Sequence, residues 1–224
     1  MSDHALTRWI TEALGRAPDD HALYVRALTH GSHGSDTYER LEFLGDRVLG
    51  LVAAAWLYER FPGEPEGSLS RRINAIVSRE TCAAIGRAIG LPPHLRLGKQ
   101  ARDDGAVGSD NVIGDAVEAL IGALFLEGGL PAADAFVRLR WSGLVDGQQQ
   151  APRHPKSALQ EWAAANRCRP PVYSLDARTG AHHAPRFTVS VALPGRLGAT
   201  ASAEGSSKQE AETAAALALL EKLN

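Results

Sequence analysis

Five acidic side chains fall at spacings that could gather them into one site. Glu39, Glu42 and Asp46 lie in the run E-R-L-E-F-L-G-D (39–46), and Asp115 and Glu118 lie in D-A-V-E-A-L-I-G-A (115–123). Both runs have the helical period. In the first, Leu41, Leu44, Val48, Val52 and Ala55 recur at i, i+3, i+7, i+11 and i+14 as one apolar stripe, with the acids on a second. In the second, Ile113, Val117, Leu120, Ile121 and Leu124 form the apolar face, and Asp115 and Glu118 share another. A carboxylate that only decorates a helix often has Lys or Arg four residues on. Here those positions hold Phe43, Asp46, Gly50, Ala119 and Gly122. Glu42 and Asp46 are a like-charge i,i+4 pair, which costs up to ~0.5 kcal/mol, so a positive group is expected between them.

Four carboxylates packed together, Glu42, Asp46, Asp115 and Glu118, cannot all stay ionised without cations. Oxygen-only ligands suit Mg²⁺ or Mn²⁺, which keep water and substrate phosphate in their remaining positions. Two helices must deliver them. Gly45 sits inside the first at a cost of up to ~1 kcal/mol against Ala, which points to another backbone or a ligand close by. Gly114, Ala116, Ala119 and Gly122 would let the second helix approach the first. By spacing alone, two amphipathic helices with scattered acids fit equally well.

The two runs, in this order and about 70 residues apart, resemble the signature and the second acidic motif of the ribonuclease III family. The resemblance implies that Glu42, Asp115 and Glu118 hold Mg²⁺, for which Mn²⁺ can substitute. It implies that Asp46 completes the cluster and helps position the attacking water, so that Asp46 and Glu118 are the catalytic pair. A bound cation of this kind lowers the pKa of water and neutralises charge on the reacting phosphate. Glu39 and Glu66 become auxiliary acids, with Glu66 reaching the neighbouring site of a homodimer. Phe43, which points off both stripes, becomes an interface residue. The implied products carry 5′-phosphate and 3′-hydroxyl ends.

Composition bounds the alternatives. The chain has 224 residues, 44% of them hydrophobic, enough for one or two domains with a packed core. No apolar run is expected to be long enough for a membrane span, and residues 1–16 lack an apolar signal core, so a cytoplasmic setting is expected. Cys82 and Cys168 have no metal-type spacing and read as free thiols. The net charge of −2 argues against a simple polycationic nucleic-acid binder. The charge is uneven, however. Residues 151–224 hold 9 Lys and Arg against 6 Asp and Glu, net +3, whereas residues 1–150 hold 15 against 20, net −5. An acidic half beside a mildly basic half fits a metal site joined to an RNA-binding module.

Along the chain, helices are expected at 6–14, from Tyr24, over 38–60, over 69–88 with Ser68 as cap, from Asn111 as cap, and over 131–144 from Pro131. His30 and His33 read as loop residues. Residues 100–109 read as a polar loop. The family often has a basic residue where Ile73 stands and Ala where Asn74 stands, which leaves Arg71 and Arg72 to supply phosphate contacts from that helix. It usually has a small residue where Arg47 stands.

Residues 147–154, with three consecutive Gln and a Pro, read as a linker. Beyond it the period changes to a helix at 157–165, strands at 172–175, 186–191 and 198–203, and a helix at 206–223. The order α-β-β-β-α resembles a double-stranded-RNA-binding domain. P-K-S-A-L-Q-E (155–161) resembles its first RNA-contacting helix, with Gln160 and Glu161 at the minor groove. G-A-H-H-A-P-R-F (180–187) resembles its loop, with His183 as the family histidine. G-S-S-K-Q-E-A-E (205–212) resembles its second helix start, with Ser207 and Lys208 at phosphate. A helix N-terminus with a nearby Lys suits phosphate, and duplex RNA is read by shape. Gln209 departs from the family, which commonly has a second Lys there.

The reading is therefore two domains: an all-α endonuclease domain at 1–146 and a small α-β-β-β-α RNA-binding domain at 155–224. The expected activity is metal-dependent cleavage of double-stranded RNA, with precursor ribosomal RNA and structured messenger RNA as substrates. A non-catalytic duplex-RNA-binding regulator is the competing class, against which all four carboxylates stand. A hydrolase of some other phosphodiester leaves the C-terminal module unexplained.

Overall fold

The computed structural model describes residues 3–148, 151, 154–181, 184–195 and 198–223. The chain divides into two compact units, Met1–Pro152 and Arg153–Asn224.

The first unit is helical: α1 (Asp3–Leu14), α2 (His21–Ala27), α3 (Glu39–Arg60), α4 (Glu66–Ile76), α5 (Arg79–Ala88), α6 (Lys99–Asp103) and α7 (Asp110–Asp146). Its core is α7, clasped by α3 and α5. Ile113, Ala116, Val117, Leu120, Ile121 and Leu124 lose all exposure there. By length and composition α7 also qualifies as a membrane span, contrary to the expectation that no run does. Its first half, from Val112 to Leu124, is instead packed into the core of the unit, while Leu126, Leu130, Leu139 and Leu144 stay exposed, and Gly129 breaks it with a left-handed φ of 66°. The helix expected from Pro131 is the part beyond that break. Ser109, not Asn111, holds the cap position, and Asn111 falls in the first turn.

The buried face of α3 rotates along its length. It passes from Leu41 and Val48 to Ala53, Trp56 and Leu57 and leaves Ala55 exposed, since α3 also packs against α4. The single helix expected over 69–88 is two. Val77 leaves helical geometry, and Ser78 is extended at φ −67°, ψ 154°. The Ser78 side chain accepts the backbone N–H of Thr81 and so caps α5, while Ser68 lies inside α4. Residues 100–109 form most of α6 and a 3₁₀ turn at Ala106–Gly108 rather than an irregular loop.

Arg72 also departs from expectation. It is 1% exposed, lies 3.7 Å over the Phe61 ring, and donates to Glu64 at 2.6 and 2.8 Å. It further donates to the Gln148 carbonyl at 2.7 Å. A guanidinium so enclosed cannot reach RNA. The Gln148 N–H bonds back to Val145, so the chain still belongs to the first unit at Gln148, the second residue of the expected linker.

The second unit runs α8 (Pro155–Ala165), β1 (Val172–Ala181), β2 (Ala184–Ala192), β3 (Thr200–Gly205) and α9 (Lys208–Leu223). The strands form an antiparallel sheet in the order β1-β2-β3, with Val172 opposite Ala192 and Val189 opposite Ala203. Leu159 and Ala163 of α8, Val191 and Ala201 of the sheet, and Ala215, Ala216 and Leu219 of α9 close the core. The expected order of elements is the observed one. β1 and β2 run longer than their alternation indicates, and an irregularity between Leu175 and Ala177 marks where β1's alternation fails.

Candidate active site

The acids meet because α3 and α7 touch backbone to backbone. A Cβ on Gly45 would overlap the carbonyl of Glu118, and one on Gly122 would overlap the carbonyl of Leu41. Gly114 serves a different neighbour: it faces Arg79 and Cys82 of α5. With the helices this close, one carboxylate oxygen each of Glu42, Asp115 and Glu118 lies within 4.8 Å of the others, all three side chains being partly buried.

Their electrostatics follow from crowding. Burial first, then the charges of Asp46, Asp115 and Glu42, push the Glu118 carboxyl up to about 7, with Arg79 opposing. Glu42 is raised by burial, then by Asp115 and Glu39, again against Arg79. Asp115 is raised by burial, opposed by Arg79, by a hydrogen bond from Tyr38 and by His30. Three oxygens that repel one another in a half-buried site, with no sulfur or nitrogen among them, are a donor set for a hard divalent cation. Asp46 acts on Glu118 by charge but is paired at 3.1 Å with Arg47. Arg47 thus meets Asp46, while the positive charge that acts on Glu42 is that of Arg79.

Neither auxiliary acid belongs to the three-oxygen group, although the charge of Glu39 reaches Glu42. Glu39 lines a groove with Arg26, Arg40, Phe43 and Leu126. Glu66 is exposed at the start of α4 and accepts a hydrogen bond from the Ser70 hydroxyl at 2.7 Å. Phe43 is 69% exposed.

Sequence reasoning missed Tyr38, His30 and Arg79. Tyr38 is 3% exposed, and its hydroxyl is pushed far above the ordinary phenol value by burial and then by Asp115. His30 meets the Tyr38 ring edge-on at 5.7 Å. No period marks such residues, because each comes from a turn. Arg79 had a usable signal: Ser78 followed by Thr81 is a helix start. Cys82 is fully buried behind the cluster, and its thiol is pushed up to about 12 by burial, then by Glu118 and Asp46.

In the second unit, α8 and the start of α9 enclose a concavity of about 620 Å³ lined by His154, Lys156, Ser157, Gln160, Lys208, Gln209 and Glu212. Gln160 and Lys208 thus share one surface, and Gln209 shares it too. Glu161 is exposed on α8 outside that lining. Lys156 is bound to Glu212 at 2.6 Å and lies 4.8 Å over the Tyr173 ring. Ser207 accepts the Glu210 N–H at 3.1 Å and so caps the start of α9, and the Glu210 carboxylate accepts the N–H of Ser206 at 2.8 Å. His183 lies outside the described residues.

A model described as Ribonuclease-III-like matches residues 20–142, and a double-stranded RNA binding motif matches residues 155–223. A protein named Ribonuclease 3 from Zymomonas mobilis is 61% identical over 223 residues, covering 100% of this chain and 90% of that one. Ribonuclease 3 of Dinoroseobacter shibae is 46% identical, covering 93% and 92%. The crystal structure of the nuclease domain of a Campylobacter jejuni ribonuclease III is 33% identical with a TM-score of 0.58, covering 61% of this chain and 94% of that one.

Proposed function

The chain belongs to the ribonuclease III family and is a double-stranded-RNA endoribonuclease, and on that premise we propose that it cuts duplex RNA with Mg²⁺ held by Glu42, Asp115 and Glu118. The observation that carries this reading is the meeting of three carboxylate oxygens within 4.8 Å on a chain that also has an RNA-binding motif. Mn²⁺ fits the same donors.

A divalent ion bound there supplies Lewis-acid chemistry to phosphate and water. The chain's own residues do the rest. Asp46, outside the three-oxygen set, orients the attacking water. Tyr38 donates to Asp115 and fixes its carboxylate, as outer partners of metal ligands do. The water oxygen bonds to phosphorus, the P–O3′ bond breaks, and the 3′ oxygen takes up a proton. The ends left are 5′-phosphate and 3′-hydroxyl.

One acid cluster serves one strand, so cutting both strands calls for a homodimer. The large apolar side chains exposed on α3 are Phe43, Leu51 and Tyr58, and the groove beside Phe43 measures about 720 Å³. The nuclease domain of Campylobacter jejuni ribonuclease III has structural flexibility in a region involved in dimer formation. Glu39 and Glu66 are then available to the neighbouring site. In the second unit, Gln160, Glu161, Ser207 and Lys208 engage the duplex, His183 being the family's further contact. We take the compartment to be the cytoplasm, in keeping with two free cysteines, and the substrates to be ribosomal RNA precursors and structured messenger RNA.

The test is incubation with a long perfect duplex, with and without Mg²⁺, followed by end analysis. Glu118→Gln should slow cleavage at least about a hundredfold while leaving duplex binding nearly intact. Retained cleavage, or loss of binding as well, removes Glu118 from the metal site. Sedimentation of the full chain should give a dimer.

A further inference from the structure

The cation that recurs around the acid cluster is Arg79, and it is bound to none of the acids. Its charge reaches Glu42, Asp115 and Glu118 alike. Yet among the described residues no carboxylate oxygen forms an ion pair with it within 4.0 Å, although the structure pairs Arg47 with Asp46 and Arg72 with Glu64 in this way. It remains exposed. Arg79 therefore keeps its side-chain freedom and its hydrogen-bonding capacity for something else.

Its position is built from two sides. Arg79 is the first residue of α5, just after the Ser78 cap. Its stem lies against Gly114, where a Cβ would meet the Arg79 carbonyl at 3.3 Å and its Cγ at 3.4 Å. Gly114 directly precedes Asp115. The glycine thus lets α5 set the base of this side chain at the edge of the cluster. The N-terminus of α5 adds the positive end of its dipole at the same place.

A polyanionic substrate meets four carboxylates here, and one divalent ion does not cancel their charge. A fixed cation at the rim lowers that repulsion, and a guanidinium matches the paired oxygens of a phosphate. Two other arginines near the acids are committed: Arg72 is buried against Glu64, and Arg47 holds Asp46. We propose that Arg79 is a substrate contact of the cleavage site, a cation poised among the carboxylates that takes a backbone phosphate of the RNA when the duplex docks. The inference rests on the endoribonuclease reading above.

The test uses the full chain with Arg79→Ala and Arg79→Lys. Single-turnover cleavage in Mg²⁺ should fall about tenfold or more for Arg79→Ala, and Arg79→Lys should recover part of the loss, keeping the charge without the paired donors. Duplex binding, read without turnover in a Glu118→Gln background, should show a salt slope shallower by about one unit for Arg79→Ala. The melting temperature should stay within a few degrees of wild type. Unchanged cleavage and an unchanged slope overturn the proposal. So does equal loss in both variants together with a large drop in melting temperature, which marks a structural role. Should wild type fail to cut duplex RNA in Mg²⁺, the endoribonuclease reading is what fails, and the binding slope still decides whether Arg79 meets phosphate.

Discussion

Gly45 of α3 and the carbonyl of Glu118 on α7 are in direct contact, with no room for a Cβ between them. Helix propensity alone says that Gly45→Ala stabilises by up to ~1 kcal/mol. The contact says the reverse. A methyl group there must push α3 from α7, and overpacking of this kind costs about 1–3 kcal/mol. The same displacement spreads the three oxygens. Gly45→Ala should therefore lower both the melting temperature and the cleavage rate. Gly143→Ala, in α7 with open space around it, should be neutral or stabilising. Equal behaviour of the two variants in thermal melts would remove the close-contact explanation.

The Glu118 carboxyl, raised to about 7 from an ordinary 4.5, fixes a sign. The folded metal-free chain holds this proton more tightly than the unfolded chain. Between pH 4.5 and 7 the unfolded carboxyl ionises first, so stability falls as pH rises through that window and levels off above it. Allowing for partial exposure, the loss is on the order of 2 kcal/mol. Thermal melts in EDTA from about pH 5 to about pH 8 should show wild type losing more stability than Glu118→Gln. Added Mg²⁺ should stabilise wild type more at about pH 8 than at about pH 6. Parallel curves for the two proteins would contradict the crowding of these acids.

Arg72 is a core residue that carries a charge. Arg72→Ala removes the partner of Glu64 and empties the space over Phe61, and should lower the melting temperature clearly. Arg72→Met, which keeps the volume, should cost less. Neither should change the salt dependence of RNA binding. A change in that slope without loss of stability would return Arg72 to the RNA surface.

Gln209 lines the same concavity as Gln160 and Lys208. Gln209→Lys should tighten duplex binding and steepen its salt slope by about one unit or less. Lys208→Ala should do the opposite. A titration over several salt concentrations compares the three proteins, and an unchanged slope for Gln209→Lys means that position 209 does not face phosphate.

What could be read from the chain was whatever repeats. The apolar stripes of α3 and α7 announced two helices, the unpaired acids a cluster, and Gly45 a close approach. These signals are local, because a helix face is written every three or four residues. What could not be read depends on distant partners. Arg72 resembles any surface arginine until Phe61, Glu64 and Gln148 close around it. Tyr38 meets Asp115 across 77 positions of sequence. The break at Ser78 is hidden because apolar residues continue on both sides of it, and only the cap shows where one helix ends. With the break went Arg79, which a continuous helix would have carried past the acids.

Cys82 turns the closeness of α5 and α7 into something that can be timed. A thiol with no exposure and a strongly raised pKa cannot be alkylated in the closed molecule. Reaction requires α5 to lift from α7, so the alkylation rate at Cys82 reports the free energy of that local opening. Cys168, partly exposed in the other unit, supplies an internal clock for the intrinsic chemistry. The chain thus carries its own gauge of how often the wall behind its acids breathes.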